Sequence, residues 1–306
     1  MTKKMIVLKR YIKNPILKPI KTHRWEKYVY NCAAIILDNQ VHIVYRALDG
    51  DRISRLGYAS SKDGFKIDER LEKPIFVPKL ESEKPMVKFN NSGVEDPRLT
   101  RIGNRIYMLY AGVNGRTAQS SMASIEVEDF LQKKWNWKRH GILFPDIDDR
   151  NAGLFSEKIN GEYVLYTRFM PNIWVSYSRD LKNWSRPKIV MKPRKGMWDE
   201  YKIGIAGPPL RLNNSWLLIY HGVEQRQVGR IYRLGFVLID LKNPEKILYR
   251  SKKPILEPVK NYEKIGQVNN VVFSCGSVIL NKKLFVYYGG ADTVIGVATA
   301  DISNLL

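Results

Sequence analysis

The chain of 306 residues has very little cysteine and no long hydrophobic segment. Cys32 and Cys275 are too few for a disulfide framework or a zinc site, so we expect two buried, reduced thiols. No segment approaches the roughly 18 consecutive apolar residues of a membrane-spanning helix. The apolar run Met5–Leu8 is also too short for the core of a signal peptide. We therefore expect a cytoplasmic protein that does not bind membranes.

Acidic residues are scarce relative to basic ones, since 30 Asp and Glu face 51 Lys and Arg, for a net charge of +21. Such an excess predicts attraction to anions, which include nucleic acids, anionic membranes and small phosphates. The basic residues are dispersed, and no block of five or more like charges forms a basic tail. We therefore expect no nucleic-acid partner. A lysine-rich solvated surface and a small phosphate ligand both remain open.

Helical periodicity is also missing, while 7 Trp, 17 Tyr and 10 Phe favour strands. A short apolar phrase, usually bounded by prolines, recurs about every 45 to 70 residues, which is a spacing typical of propeller blades. Its five copies are Pro15–Pro19, Pro74–Pro78, Gly141–Pro145, Pro187–Pro193 and Pro254–Pro258.

After each phrase and a variable loop comes a short apolar segment, and then a second segment that ends in tyrosine. These second segments are Val41–Tyr45, Ile106–Tyr110, Tyr163–Tyr166, Trp216–Tyr220 and Leu284–Tyr288. Short strands separated by turn residues predict an all-β protein, and five such units predict a five-bladed β-propeller. A two-domain β-sandwich would not explain five equivalent phrases. No linker divides the chain, so we expect residues 1–306 to form one domain.

The clearest polar interruption of a strand is Gly93–Arg98, in which Glu95, Asp96, Pro97 and Arg98 open an apolar run. Proline fits only the start of a strand or an unpaired edge, so these acids are expected at the mouth of the space that the strands surround. Corresponding positions in the other units also carry polar residues. The full set is Asn31, Arg46, Asp49, Asp51, Glu95, Asp96, Arg98, Arg150, Asn151, Arg168, Lys202, His221, Tyr232, Asn269, Asn270 and Asp292.

This set divides into an acidic and a basic group. Carboxylates accept hydrogen bonds from sugar hydroxyls, and one acid beside a glycosidic bond can donate a proton. Arg150, Arg168, Lys202 and His221 come from neighbouring units and suit a phosphate-sized dianion. The alternative is that each basic residue pairs with a nearby acid such as Glu157 or Glu200.

The ordered set of motifs along the chain resembles glycoside hydrolase family 130, the mannoside phosphorylases and related β-mannosidases. The motifs that carry the resemblance are Tyr45–Ala47, Ser54–Ala59, Ser61–Phe65, Gly93–Arg98, Leu154–Gly161, Ile173–Ser178, Gly207–Pro209, Trp216–Gly222 and Tyr287–Thr293. The resemblance implies a five-bladed propeller and an inverting reaction at a β-mannosidic bond. It implies no metal and no organic cofactor, with inorganic phosphate as co-substrate.

The resemblance also implies roles for individual residues. Asp96 matches the catalytic acid of the family, which protonates the leaving oxygen through the 3-hydroxyl of the mannosyl unit. Phosphate then attacks the anomeric carbon and yields α-mannose 1-phosphate. The expected phosphate-binding residues are Arg150, Asn151, Arg168, Lys202, His221 and Tyr232. The residues expected to bind the mannosyl unit are Arg46, Asp49, Arg55, Glu95, Arg98 and Asp292.

Two alternatives share this fold. A β-mannoside hydrolase would need a second carboxylate as base, whereas Lys202 and His221 keep their positions basic. A carbohydrate-binding propeller without catalysis would have no use for the proton donor. The linkage and the leaving sugar (mannose, glucose or N-acetylglucosamine) depend on loops such as Lys79–Asn91 and Lys192–Glu200, and the compact length favours β-1,4-mannosides. A homo-oligomer is compatible with the sequence.

Overall fold

The prediction of an all-β protein is confirmed by the computed structural model, which describes residues 6–88, 90–145, 147–227 and 229–303. The first strands are β1 Lys9–Arg10, β2 Tyr28–Leu37, β3 Gln40–Leu48, β4 Ile53–Ser61 and β5 Glu69–Arg70. They are followed by β6 Ser92–Ile102, β7 Arg105–Val113, β8 Ala118–Glu126 and β9 Lys138–Ile142. The next are β10 Ala152–Leu154, β11 Tyr163–Phe169, β12 Asn172–Ser178 and β13 Lys188–Met191.

The last strands are β14 Lys202–Ile205, β15 Leu210–Arg211, β16 Trp216–Arg226, β17 Gly229–Ile239, β18 Ile247–Arg250, β19 Val272–Leu280, β20 Lys283–Gly290 and β21 Val294–Asp301. Helical structure in the described residues is limited to a 3-10 turn, Glu81–Glu83, and two short helices, α1 Val127–Leu131 and α2 Asn261–Lys264. None of the helices described is long and apolar enough to cross a membrane.

Within the described ranges the strands pair into five antiparallel sets. In order they are β2-β3-β4-β5, β6-β7-β8-β9, β10-β11-β12-β13, β14-β16-β17-β18 (with β15 also on β16), and β19-β20-β21-β1. A short parallel contact of Ile53 and Ser54 with Ser92 and Gly93 joins the first two sets into one sheet. The apolar cores follow this order, because side chains of neighbouring sets pack against each other, as Ala33 and Tyr58 do with Val94 and Tyr110. Cys32 and Cys275 are buried free thiols.

The recurring apolar phrase lies at the outer side of each set, where it contacts the third strand. Leu17 bridges to Ile295, Phe76 to Leu56, and Leu256 to Leu234. In the second and third sets the phrase lies partly within β9 and β13. Each phrase therefore completes the set before it, and the first copy completes the last set. The pairing of β1 with β21 has the same effect, since it joins the start of the described chain to its end.

Among the described residues, four of the five sets each contain a buried carboxylate that links the strands of that set. This acid lies in the segment before the first strand of its set and accepts hydrogen bonds from the tyrosine of the second strand and from an arginine on the outer strand. These Tyr–acid–Arg clusters are Tyr45–Glu26–Arg70, Tyr110–Glu83–Arg139, Tyr220–Asp199–Arg250 and Tyr288–Glu263–Arg10. In the third set Tyr166 instead donates to the carbonyl oxygen of Pro244. All four acids are fully buried. Each cluster joins the segment before the first strand to the second strand and to the outer strand of the same set.

Candidate functional site

A cavity of about 400 Å³ lies where residues of all five sets meet. Its walls contain nine of the polar residues proposed from the sequence: Asn31, Arg46, Asp96, Arg150, Asn151, Arg168, Lys202, Tyr232 and Asp292. The remaining wall is formed by Met170, Val268, Val271 and Phe273, which the sequence did not single out. We call this space the catalytic cavity.

Asp96 reaches the catalytic cavity through an irregularity in β6. The register of β6 against β7 shifts between Glu95 and Arg98, and Asp96 has a φ of 51°. Asn31 occupies the equivalent position in β2, where the register shifts between Tyr30 and Cys32 and φ is 46°. Left-handed backbone at a non-glycine residue is strained and clusters at functional sites. The bulges thus turn both side chains out of the strand and into the cavity.

The carboxylate of Asp96 is held by donors on both sides. Its Oδ1 accepts hydrogen bonds from Asn31 Nδ2 at 2.9 Å and from Arg46 Nη1 at 3.2 Å. Burial acts to raise the pKa of Asp96, but the charges of Arg46 and Arg98 and these hydrogen bonds outweigh it and lower the pKa below its usual value. Without ligand, Asp96 is therefore ionised at neutral pH.

Arg46 also binds the neighbouring carboxylate. Its Nη2 lies 2.6 Å from Glu95 Oε1, and its guanidinium stacks 4.6 Å from the centre of the Tyr30 ring. The other oxygen of Glu95 lies 3.3 Å from Arg150 Nη1. Burial, together with the charge of Asp96, raises the pKa of Glu95 although Arg46 opposes it. Two acids and one shared arginine thus form the acidic side of the site.

The basic side contains more positive charge than nearby acids can balance. Burial, reinforced by Arg168, Arg230 and Arg150, lowers the pKa of Lys202 to about 8. Burial likewise lowers the pKa of the Arg168 guanidinium, and only Asp149 and Tyr232 act in the other direction. Lys202 Nζ lies 5.5 Å from the centre of the Tyr232 ring. Cations gathered without enough counter-charge form a pocket that an anion would stabilise.

Several polar atoms around this pocket lack a hydrogen-bond partner among the described residues. They are Asn31 Oδ1, Asn151 Oδ1, Arg168 Nε and both ring nitrogens of His221. Buried polar atoms without partners are costly, so such a cluster indicates a bound ligand or ordered water. Asn31, Asn151 and Arg168 line the cavity, and His221 is buried behind its wall.

His221 lies behind the cavity wall and is completely buried. Its ring contacts Phe273, with centroids 4.6 Å apart, and burial lowers its pKa well below the usual value, so the imidazole is neutral. The ring fits only because residue 204 on β14 is glycine. A Cβ added to Gly204 would lie 2.5 Å from His221 Nε2 and 2.4 Å from Asn151 Oδ1. Gly204 thus allows His221 and Asn151 to approach each other.

Asp149, which the sequence did not single out, supports the basic side. It is buried and accepts hydrogen bonds from Ser120 Oγ at 2.6 Å, Thr167 Oγ1 at 2.5 Å and the backbone N–H of Asn151 at 2.9 Å. Burial raises its pKa despite these donors. Its position directly before the Arg150-Asn151 pair is the signal that could have identified it.

The acids that were considered as neutralising partners lie elsewhere. Glu157 pairs with Arg211 at 2.7 Å, and Glu200 accepts a hydrogen bond from the backbone N–H of Gly196 at 3.0 Å. Neither of them lines the catalytic cavity. The alternative in which Glu157 or Glu200 neutralises the basic group is therefore wrong.

Four residues expected at the mannosyl unit lie outside the cavity wall, namely Arg98, Arg55, Asp49 and Glu95, of which Glu95 pairs with Arg46 and Arg150 behind it. Arg98 is buried beneath it, and its guanidinium donates to the backbone carbonyl oxygens of Ala206 at 2.9 Å and Asp96 at 2.8 Å. Arg55, near the start of β4, is paired at 2.6 Å with Asp51 of the loop between β3 and β4. Asp49 lines a separate surface cavity beside residues 19–27. Arg98 contacts backbone because it holds the bulge of Asp96, whereas Asp49 lies on the loop beyond β3 and Arg55 lies near the start of β4, paired with that loop.

Asp292 lines the catalytic cavity as expected. It has a φ of 53°, like Asp96 and Asn31. Burial raises its pKa to about 7, with Asp96 and Glu95 acting in the same direction and Arg46 against it. Asn269 and Asn270 do not line the cavity; Asn269 Oδ1 accepts a hydrogen bond from the Gly266 N–H at 3.2 Å. The wall of the catalytic cavity therefore combines one ionised acid, Asp96, one acid that titrates near neutrality, Asp292, and an anion pocket.

Residues 7–306 match the sequence profile of a family described as beta-1,4-mannooligosaccharide phosphorylase, glycoside hydrolase family 130. The chain belongs to glycoside hydrolase family 130. The family and the class of enzyme predicted from the sequence are thereby confirmed.

Two curated members of family 130 from Thermoanaerobacter sp. (strain X514) are similar to this chain over nearly their whole length. A beta-1,2-mannobiose phosphorylase is 46% identical, covering 97% of this chain and 98% of the relative. A 1,2-beta-oligomannan phosphorylase is 42% identical, covering 98% and 99%. The solved structure of the beta-1,2-mannobiose phosphorylase from Listeria innocua in complex with β-1,2-mannobiose superposes with a TM-score of 0.82, covering 97% of this chain and 98% of that one. At 24% identity, that structure supports the fold.

Proposed function

We propose that this protein catalyses the inverting phosphorolysis of β-mannosides, with inorganic phosphate as nucleophile and α-mannose 1-phosphate as product. The observation that carries the proposal is the anion pocket of the catalytic cavity, where Arg168, Lys202 and Arg150 converge with unpaired polar atoms of Asn151 and His221. A hydrolase has no need of a dianion pocket opposite its acid. The membership in family 130 supports the same activity.

In the proposed reaction, a phosphate oxygen forms a bond to the anomeric carbon while the bond from that carbon to the leaving oxygen breaks. The leaving oxygen takes a proton that originates from Asp96 and passes through the 3-hydroxyl of the mannosyl unit. Arg150, Asn151, Arg168, Lys202, His221 and Tyr232 hold or orient the phosphate. Arg46 and Asp292 hold the mannosyl unit, and Glu95 positions Arg46. Fixing the phosphate in line removes much of the entropic cost of the encounter.

Asp96 must be protonated for this role, although the unliganded site favours its ionised form. A bound phosphate dianion adds negative charge to the cavity and raises the pKa of nearby carboxyl groups. We infer that phosphate and mannoside together bring Asp96 into its protonated state. Proton donation would then depend on occupancy of the anion pocket.

We propose β-1,2-linked mannosides as substrates, which differs from the expectation of β-1,4-mannosides drawn from chain length. The support is the identity of 46% and 42% to relatives named for β-1,2 substrates, against 28% to a beta-1,4-mannooligosaccharide phosphorylase from Ruminococcus albus. The leaving group would then be mannose or a β-1,2-mannooligosaccharide.

We further propose that the five strand sets are the blades of a five-bladed β-propeller in a single domain. The consecutive antiparallel sets, the pairing of β1 with β21 and the meeting of all five sets at one cavity support it. We also propose that the protein is cytoplasmic and that its reaction requires no metal and no organic cofactor.

The test is incubation with β-1,2-mannobiose or β-1,4-mannobiose, with and without inorganic phosphate. We expect α-mannose 1-phosphate to form from β-1,2-mannobiose only when phosphate is present. Free mannose released equally without phosphate would identify a hydrolase instead. Sugar phosphate formed only from the β-1,4-linked substrate would overturn the proposed linkage but not the phosphorylase activity.

A further inference from the structure

A second cavity, of about 350 Å³, adjoins the catalytic cavity. The two cavities share Arg46 and Arg150, and the buried Glu95 lines only the second one. On its other sides the second cavity is bounded by the segment at Asn90 and by the turn between β7 and β8, which includes Arg116. This space contains none of the predicted phosphate-binding residues other than Arg150.

The charge of the second cavity is strongly positive. Arg46, which also pairs with Asp96 at 3.2 Å, lines it together with Arg52, Arg116 and Arg150, and among the described lining residues the one carboxylate is that of Glu95. Both oxygens of that carboxylate are already used, by Arg46 Nη2 at 2.6 Å and by Arg150 Nη1 at 3.3 Å. In the part of the chain that the structure describes, no acid pairs with Arg116. An anion entering the cavity would therefore meet excess positive charge.

The turn that carries Arg116 is braced before any ligand arrives. Asn114 Oδ1 accepts hydrogen bonds from the backbone N–H groups of Arg116 and Thr117, each at 2.9 Å. Asn90 Nδ2 donates to the carbonyl oxygen of Gly115 at 2.9 Å, which ties the facing segment to this turn. Preorganised walls lower the entropic cost of binding a small ligand.

We propose that the second cavity binds a phosphate group, from inorganic phosphate or from a sugar phosphate, next to the phosphate used in catalysis. Guanidinium groups bind phosphate through paired, charge-assisted hydrogen bonds, and here they converge from three chain segments. Arg150 has 46% of its side chain exposed and borders both cavities, so it can turn from Glu95 toward an anion on either side. A phosphate in the second cavity would therefore lie within reach of the Arg150 side chain, which also borders the catalytic cavity.

The test is a calorimetric titration of the whole protein with inorganic phosphate at low ionic strength, which requires no turnover. We expect two binding events in the wild type. Arg116→Ala should weaken one of them by at least about tenfold, because it removes a charge-assisted contact. Arg116→Lys, which retains the charge, should keep most of that affinity. The event at the catalytic cavity should persist in both variants.

Arg186→Ala is the matched control, since Arg186 is exposed before β13, lines neither cavity and carries the same charge. It should titrate like the wild type. Loss of the event in both Arg116→Ala and Arg186→Ala would indicate general charge attraction and overturn the proposal. A single event that is unchanged in Arg116→Ala would overturn it as well.

Separate titrations with α-mannose 1-phosphate and with β-1,2-mannobiose identify the source of the ligand. An Arg116-dependent event with the sugar phosphate, tighter than with inorganic phosphate, would assign the site to a sugar phosphate. An Arg116-dependent event with β-1,2-mannobiose alone would make the cavity a saccharide subsite and refute an anion site. Because these are binding measurements, they stand whether or not phosphorolysis is detected.

Discussion

Asp96 has left-handed backbone, and this decides which substitution can test its role. Asparagine tolerates such a conformation better than other residues with a side chain, and it keeps the size of aspartate. We expect Asp96→Asn to remain folded and to lower kcat by about 10²- to 10⁴-fold, because an amide cannot donate the proton. Initial rates at saturating mannoside and phosphate, together with a thermal melt, are the measurements.

Asp292→Asn provides the comparison for that variant. Burial raises the pKa of Asp292 to about 7, so it is the other acid of the catalytic cavity that can carry a proton. We expect its amide variant to raise KM for the mannoside more than it lowers kcat. A folded Asp96→Asn enzyme with nearly normal kcat, beside an inactive Asp292→Asn enzyme, would transfer the acid role to Asp292.

Lys202 makes phosphate binding sensitive to pH. Its pKa is lowered to about 8, chiefly by burial, so the amine loses its charge as the pH rises through that value. KM for phosphate should therefore increase between about pH 7 and pH 9, while KM for the mannoside changes less. Phosphate in turn raises the pKa of Lys202, so its binding near pH 8 should drive proton uptake by this amine.

Phosphate dependence measured across this pH range in wild type and in Lys202→Ala checks the assignment. The variant should have a higher KM for phosphate at every pH and should lose the contribution of this amine to the pH dependence. An identical pH dependence in both proteins would show that another group titrates.

At the scale of the element, β14 presents Lys202 at its start and Gly204 two residues later, directly against His221 and Asn151. Gly204→Ala should leave the strand paired but displace one or both of these side chains, since the added Cβ would lie 2.4 Å from Asn151 Oδ1. We expect KM for phosphate to rise several-fold more than KM for the mannoside.

Gly50→Ala is the matched control, because a Cβ at residue 50 would have no neighbour within 4 Å. It should behave like the wild type. Equal effects of Gly204→Ala on both substrates would indicate a general distortion of the cavity instead of a local displacement in the anion pocket.

The strands that could be predicted are those with apolar runs ending in a repeated residue. All five second segments ending in tyrosine lie within strands, because these strands are buried on both faces and therefore show continuous apolar runs in the sequence, although each strand continues beyond its tyrosine. Third strands are predicted in the other four units, from Leu56–Ser60, Trp174–Ser178, Leu234–Ile239 and Ile295–Ala300. The sequence does not predict β8 of the second set, because its serines and small residues, Ala118–Glu126, do not form an apolar run. The buried acids Glu26, Glu83, Asp199 and Glu263 were missed as well, because the segments that carry them differ in length and structure and the acids differ in identity. The tyrosines were the available signal, since a buried hydroxyl needs a partner.

The catalytic cavity could be predicted where a polar residue interrupts a strand, as at Asn31, Asp96 and Lys202. Sequence position could not distinguish a side chain that faces the cavity from one that faces backbone. Arg98 shows this, since it lies two residues after Asp96 but donates to carbonyl oxygens beneath the cavity. That direction is set by the register shift in β6, which is a property of pairing with β7.

At the scale of the whole molecule, the cluster of Glu263, Tyr288 and Arg10 joins the last strand set to β1. Arg10 Nε and Nη2 lie 2.7 Å and 2.9 Å from the two oxygens of Glu263, which is fully buried. Removing one partner of a buried ion pair typically costs about 3–5 kcal/mol. Glu263→Gln keeps the size and part of the hydrogen bonding, so we expect the free energy of unfolding to fall by about 2–3 kcal/mol.

Chemical denaturation of Glu263→Gln, with Glu81→Gln as control, measures this effect. Glu81 is 89% exposed and pairs with Lys84, and exposed pairs of this kind contribute at most about 1 kcal/mol. Stability losses of the same size in both variants would show that the cluster of Glu263, Tyr288 and Arg10 contributes no more to stability than an exposed ion pair.

The closure through Arg10 and Glu263 also determines when the chain can finish folding during its synthesis. These partners are separated by 253 positions, and ribosomes add about 5–20 residues per second. β1 therefore emerges about 13–50 s before Glu263 exists, and its edge stays unpaired throughout. The strand has only two residues, Lys9 and Arg10, and both are basic. A short, charged strand is a poor template for another chain, so the nascent protein can wait for its own last strand without aggregating.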